Sequence, residues 1–135
     1  MIRYVTLAEY MWLAEQVTGV DASVLAKSSR SDLADSALHA PQAGFGEDEF
    51  HPDVYDKAAV LVCRLTWNHP LVDGNKRAAW ASLIMFIELN DGVWDPDAPD
   101  VDQAEQAMLA IATHEVDEGW TATWLRERVR FAARD

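Results

Sequence analysis

Nine residues, His69-Pro70-Leu71-Val72-Asp73-Gly74-Asn75-Lys76-Arg77, separate two long apolar helical patterns. Ahead of them, Val54, Ala58, Leu61, Val62 and Leu65 recur at helical spacing up to about Asn68. Behind them, Ala78, Ala79, Leu83, Phe86 and Ile87 keep the same period from about Gly74 to Asn90, and Asp91-Gly92 stops the run. Two such helices must bury their apolar faces, so they form the hydrophobic centre of a helical domain. The polar nine-residue turn then sits at one end of that centre.

The turn concentrates a histidine, a carboxylate, a glycine, an amide, a lysine and an arginine. A loop that opens a helix N-terminus offers backbone N–H groups and a favourable dipole to an anion. Gly74 lets backbone come close to phosphate, while Lys76 and Arg77 neutralise its charge, Arg77 as a bidentate donor. Asn75 can donate its side-chain amide to an oxygen or brace the loop. Asp73 is a candidate oxygen ligand for magnesium bridging two phosphates. His69 is the natural general base. Phosphoryl transfer needs positioning, charge neutralisation and an acceptor for the hydroxyl proton, and these residues supply all three.

The same stretch resembles the signature of the Fic/Doc family, H-x-F-x-D/N-G/A-N-K/G-R. His69, Asp73, Gly74, Asn75 and Arg77 stand at the patterned positions, and Leu71 replaces the usual phenylalanine while keeping an apolar anchor. Lys76 stands where AMP-transferring members carry glycine and the Doc (death on curing) toxins carry lysine. Trp80 stands where the longer Fic pattern has a second arginine. The segment Ser36-Ala37-Leu38-His39-Ala40-Pro41 also resembles a stretch upstream of the Doc motif. The resemblance covers residues 30 to 130, within one domain spanning 1–135. It implies the all-α Fic/Doc helical core and a Doc-like toxin kinase that uses ATP and Mg2+. Such a kinase passes phosphate to a Ser/Thr hydroxyl of a translation factor (elongation factor Tu by resemblance) and inhibits translation. It further implies a cognate antitoxin whose C-terminal segment folds against the toxin. The inhibitory S/T-x-x-x-E-G/N helix of some Fic proteins is missing, because the residue four before Glu118-Gly119 is His114. Inhibition would therefore come from another chain.

Elsewhere the chain reads as helices and turns. Thr6-Leu7-Ala8-Glu9 is a capping box opening a helix to Thr18, which Gly19 ends. Asp21 caps a short turn through Leu25, and Lys27-Ser28-Ser29-Arg30 reads as a loop. A helix from Ser31 or Asp32 closes at Pro41. Gly44, Phe45 and Gly46 lie in a Gly-rich, acidic stretch, residues 42–50, expected to be a short hairpin or loop. The resemblance makes it the flap that docks the target's backbone beside the active site. His51-Pro52 predicts a helix entry with proline at the first position. Val93-Trp94 is a short extended piece. Asp100 caps a helix to Thr113 with Val101, Ala104, Met108 and Ile111 on one face. Glu115 to Gly119 is a polar turn, and the last helix starts at Thr121 or Thr123 and carries Trp124, Leu125, Val129 and Phe131. No real sheet is expected.

The formal charge of −12 opposes a nucleic-acid backbone or an anionic membrane surface. Arg3, Glu9 and Glu15 interrupt any leader-like apolar run, and no stretch reads as membrane-spanning, so a cytoplasmic protein is expected. Cys63 reads as a buried small hydrophobe, the six tryptophans as packing residues, and His39, His51 and His114 as structural or solvated. There is no P-loop. Two rivals to the kinase remain: a Fic-type protein AMP-transferase, and a non-catalytic module that binds a partner or a nucleotide without turnover.

Overall fold

The structure, a computed structural model, describes residues 1–132. Among these it contains seven α-helices and two short two-stranded ladders, so the all-α expectation is met. Helix α1, Leu7–Thr18, starts on the predicted capping box. The Glu9 N–H donates to Thr6 Oγ1 at 3.1 Å, and the Thr6 N–H donates to Glu9 Oε1 at 2.9 Å. Gly19 ends it at φ 71°, left-handed backbone that glycine adopts without a Cβ penalty. Helix α2, Ala22–Ser28, is capped by Asp21 but runs a turn beyond Leu25, so Lys27 and Ser28 are helical rather than loop. Helix α3, Ser31–His39, is followed by a 3-10 turn at Ala40–Gln42 that buries Pro41.

Helix α4, Val54–Asn68, is the axis of the molecule. Lys57, Ala58, Ala59, Val60, Leu61, Val62, Cys63, Leu65 and Thr66 are all buried. A helix buried nearly all round has neighbours on every side, here α3, α5, α6 and α7. Its start differs from expectation. Asp53 is the N-cap, its carboxylate accepting from Tyr55 N at 2.8 Å, and Pro52 precedes the cap rather than opening the helix. Helix α5, Asn75–Leu89, packs along α4 and α1 and buries Ala78, Ala79, Ser82, Leu83, Phe86 and Ile87.

The C-terminal third departs most from expectation. Helix α6, Val101–Ala112, is capped by Asp100 and Gln103, but it buries Ala107, Met108 and Ile111 and leaves Val101 exposed. Helix α7, Glu118–Arg126, begins earlier than Thr121 because the Asp117 carboxylate caps it. It also ends earlier. Val129–Phe131 forms a strand paired antiparallel with Gly92–Trp94, Val93 facing Arg130, and not the tail of a helix. Trp80, Trp94 and Trp124 cluster with ring centroids 6.0–6.3 Å apart, and Trp67 packs beside the core, whereas Trp12 and Trp120 are exposed. No described helix is long and apolar enough to cross a membrane.

Two buried groups give measurable consequences. Asn90, fully buried, accepts from Arg3 N and donates to Arg3 O, both at 2.9 Å, sewing the N-terminal segment to the end of α5. Asn90→Ala should lower stability by about 2 kcal/mol, read as a lower urea midpoint with unchanged slope. Burial pushes the Cys63 thiol up to about 12. The neutral thiol is the form the fold prefers, so this group leaves stability unchanged at neutral pH and reduces it as pH rises above the ordinary thiol value of 9.0. Cys63 should resist alkylation at pH 8 until urea unfolds the chain, as intact mass would record.

Candidate active site

The turn between α4 and α5 is built by backbone geometry before any ligand arrives. His69 caps α4 with φ 48° and ψ 56°, left-handed backbone that a non-glycine residue seldom adopts. The residue is exposed, so the reversal turns the imidazole's residue to solvent and not into the core. Pro70 and Leu71 then dive inward and are buried, Leu71 at 5% exposure. Leucine therefore fills the anchoring position in which the family pattern carries phenylalanine. Two bonds from α3 and its approach hold this end of the loop: the Arg30 N–H donates to Pro70 O at 2.7 Å, and Asn68 Nδ2 donates to Leu33 O at 3.0 Å.

Asn75 is the internal brace. Its Oδ1 accepts from Leu71 N and its Nδ2 donates to Leu71 O, both at 2.9 Å. The pair fixes which end of the amide is oxygen. Nδ2 also lies 3.4 Å from His69 Nδ1, a long contact that holds in the tautomer whose Nδ1 is bare. Of the two roles open to Asn75 from sequence, the structure puts its side chain in the bracing one. Gly74 is the N-cap of α5 at φ 83°, and no side chain caps that helix. A Cβ there would lie 2.6 Å from Thr18 Cγ2. The last turn of α1 thus rests directly on the start of α5.

The charged residues divide into two kinds. Asp73 and Lys76 are exposed and take part in no ion pair among the described residues. Arg77 is partly engaged: its Nη1 donates to Val17 O at 3.1 Å, straddling the C-terminus of α1. A groove of about 590 Å³ opens beside Lys76 and Arg77, between α5 and α6, lined by Trp80, Pro99, Val101 and Met108 among others. That volume lies in the range of small-molecule sites. For magnesium, the donor set is a single free carboxylate, and no group of three or more described His, Cys, Asp or Glu residues could hold a metal alone. Asp73 suits a hard cation that brings phosphate and water as its other ligands, which is how magnesium usually binds.

Residues 42–50 do form a hairpin. Gly44–Phe45 pairs antiparallel with Asp48–Glu49, and Gly46 turns the chain at φ 64°. Its side-chain tie to the core runs to α4. Glu49 is tied to Lys57, and Lys57 precedes His69 by twelve residues of α4 and its cap. At 1.5 Å per residue the Lys57 backbone lies on the order of 18 Å along α4 from His69. Lys57 itself was invisible as a special residue in the helical pattern. The available signal was its place in the i, i+4 line with Leu61 and Leu65, a buried stripe on which a lysine needs a partner.

Gly74→Ala tests the build of the loop. It places a Cβ in left-handed backbone and against Thr18, and should cost about 1–3 kcal/mol, with increased amide exchange at the end of α1 as the second readout.

Residues 4–87 match the sequence profile of the Fic/DOC family. The match takes in α1 and α2, ahead of the region where the motifs show a resemblance, and ends within α5. A curated relative, "Toxin Doc" of Mycolicibacterium smegmatis, is 45% identical over 85 residues, which cover 63% of this chain and 65% of that protein. The aligned part is thus less than two thirds of the relative's length. With the profile spanning more than half of the residues, and with the motif seated at an uncapped helix start between two packed helices, this chain belongs to the Fic/DOC family.

Proposed function

We propose that the protein is a Doc-like toxin that transfers the γ-phosphate of ATP to a Ser/Thr hydroxyl of a translation factor and so inhibits translation. One observation carries the reading. The first turn of α5 has no side-chain cap, and an exposed carboxylate and an exposed ammonium, Asp73 and Lys76, flank it without ion-pair partners among the described residues. Uncapped N–H groups and a positive dipole end favour a phosphate there, and Lys76 adds a point charge. Lysine in place of glycine favours phosphate transfer over AMP transfer, and the likeness to Toxin Doc points the same way. Elongation factor Tu is the target suggested by the resemblance.

The chemistry assigned to the chain's own groups is short. The acceptor hydroxyl forms the new O–P bond, the bond from the γ-phosphorus to the bridging oxygen breaks, and ADP leaves with that electron pair. His69 takes the hydroxyl proton. The long Asn75 contact at Nδ1 exchanges easily, so the imidazole can present a bare nitrogen to an incoming side chain. Asn75 keeps the loop's shape through Leu71, Gly74 admits the phosphates, and Lys76 and Arg77 balance the growing charge, Arg77 with the nitrogen not bonded to Val17. Asp73 would hold magnesium, which when bound neutralises charge between two phosphates. The groove beside Lys76 leaves room for the nucleoside.

A neutralising antitoxin is the partner this reading implies, its C-terminal segment folded on the toxin. The face of α1 and α2 leaves Trp12, Val20 and Val24 exposed, and the last turn of α1 is the one bonded to Arg77. A segment seated there would be linked to the motif by that bond.

Intact-mass spectrometry of a cell-free translation mixture, given the protein with magnesium and ATP, tests the activity. The expected product is one phosphate on one translation factor, with the rate reduced by about 10²-fold or more in His69→Ala. A gain of one nucleoside monophosphate would assign AMP transfer instead. No mass change with translation intact would leave a binding module.

A further inference from the structure

Lys57 is 1% exposed, yet it carries an ammonium. Its Nζ donates to Pro41 O at 3.0 Å and to Glu49 Oε1 at 2.7 Å, and it lies 5.4 Å from the Tyr4 ring centroid. One buried cation on α4 therefore grips the stem of the 42–50 hairpin at Pro41 and its second strand at Glu49. The hairpin has little else of this kind. Its strands are two residues each, a length marginal in water, and every residue from Gly44 to Phe50 is exposed. Phe45 at 82% and Phe50 at 63% exposure supply no apolar anchor. Among the described residues its remaining ties are backbone bonds of its own ladder and stem, such as Phe50 N–H to Ala43 O at 3.0 Å.

We propose that the Lys57–Glu49 ion pair is the latch that fixes the hairpin on α4, and that Lys57 is a positioning residue for the protein acceptor. The docking half of this proposal rests on the transferase reading above. Burial opposes the charge on Lys57, but Glu49 and Tyr4 outweigh it and raise its pKa above the ordinary lysine value, so the latch stays charged at neutral pH. The latch is anchored on the same helix that ends at His69, its lysine twelve residues earlier. Through that helix it holds the hairpin's contact with an acceptor in a fixed relation to the imidazole.

The experiment is amide hydrogen exchange and acceptor kinetics on the full chain carrying Glu49→Gln. Glu49 is half exposed, and the substitution keeps both its shape and the Lys57–Pro41 bond, so the fold should survive. Exchange at residues 43–50 should rise about tenfold, with α4 and α5 unchanged. KM for the protein acceptor should rise about tenfold while kcat and KM for ATP stay within about twofold. Lys57→Met, which removes both bonds, should move the same readouts further. Unchanged hairpin exchange in Glu49→Gln overturns the latch. A loosened hairpin with unchanged acceptor KM overturns the positioning role. If the unaltered protein transfers nothing, the transferase reading and with it the docking half fail, and exchange alone still decides whether the pair is a latch.

Discussion

Nearly complete burial of one helix organises this protein. Helix α4 has few faces left for water, so it must be surrounded, and α3, α5, α6 and α7 are the elements that surround it. Everything with chemical interest is hung from its two ends. At the C-terminal end, His69 turns the chain in left-handed backbone and leads to the uncapped start of α5. In the N-terminal half, Lys57 reaches the hairpin. A rigid rod sets the spacing between these features, and sites carried on rigid elements keep their geometry better than sites carried on loops alone.

Local chemistry was readable wherever one short segment contained all its own causes. The Thr6/Glu9 and Asp100 caps, the Gly19 stop and the Gly44–Glu49 hairpin depend on residues within a few positions of one another, and each was legible. So was the motif, since nine adjacent residues carry it. What escaped depended on distant partners. Val129–Phe131 continues a spacing that suits a helix, and becomes a strand because Gly92–Trp94, more than thirty residues earlier, is there to pair with it. Val101 fell on a helical stripe but faces the groove beside Lys76 instead of the core.

The same division runs through the site. The motif could be read as one stretch, but the contacts of each side chain could not. Asn75 had two possible roles, and the choice rests on its fit to both polar atoms of Leu71. Arg77 looked like a pure phosphate ligand, yet one of its nitrogens is bonded to Val17, sixty residues away in sequence. Lys57 takes its partners, Pro41 and Glu49, from outside its own helix. Tertiary contacts of this kind have no local signature beyond a charge on an apolar stripe.

The uncapped start of α5 carries a thermodynamic consequence. Most helices end the unmet demand of their first N–H groups with a side chain, at a gain of about 1 kcal/mol. Here Gly74 offers none, and a Cβ at that position would press on Thr18 Cγ2. The start of α5, like that of α3, is left without a side-chain cap, and an anion bound at α5 would supply one. A phosphate would then be ligand and structural cap at once. By mass action such binding would add to the stability of the native state as the logarithm of one plus the anion concentration over its dissociation constant, so the two equilibria would be linked.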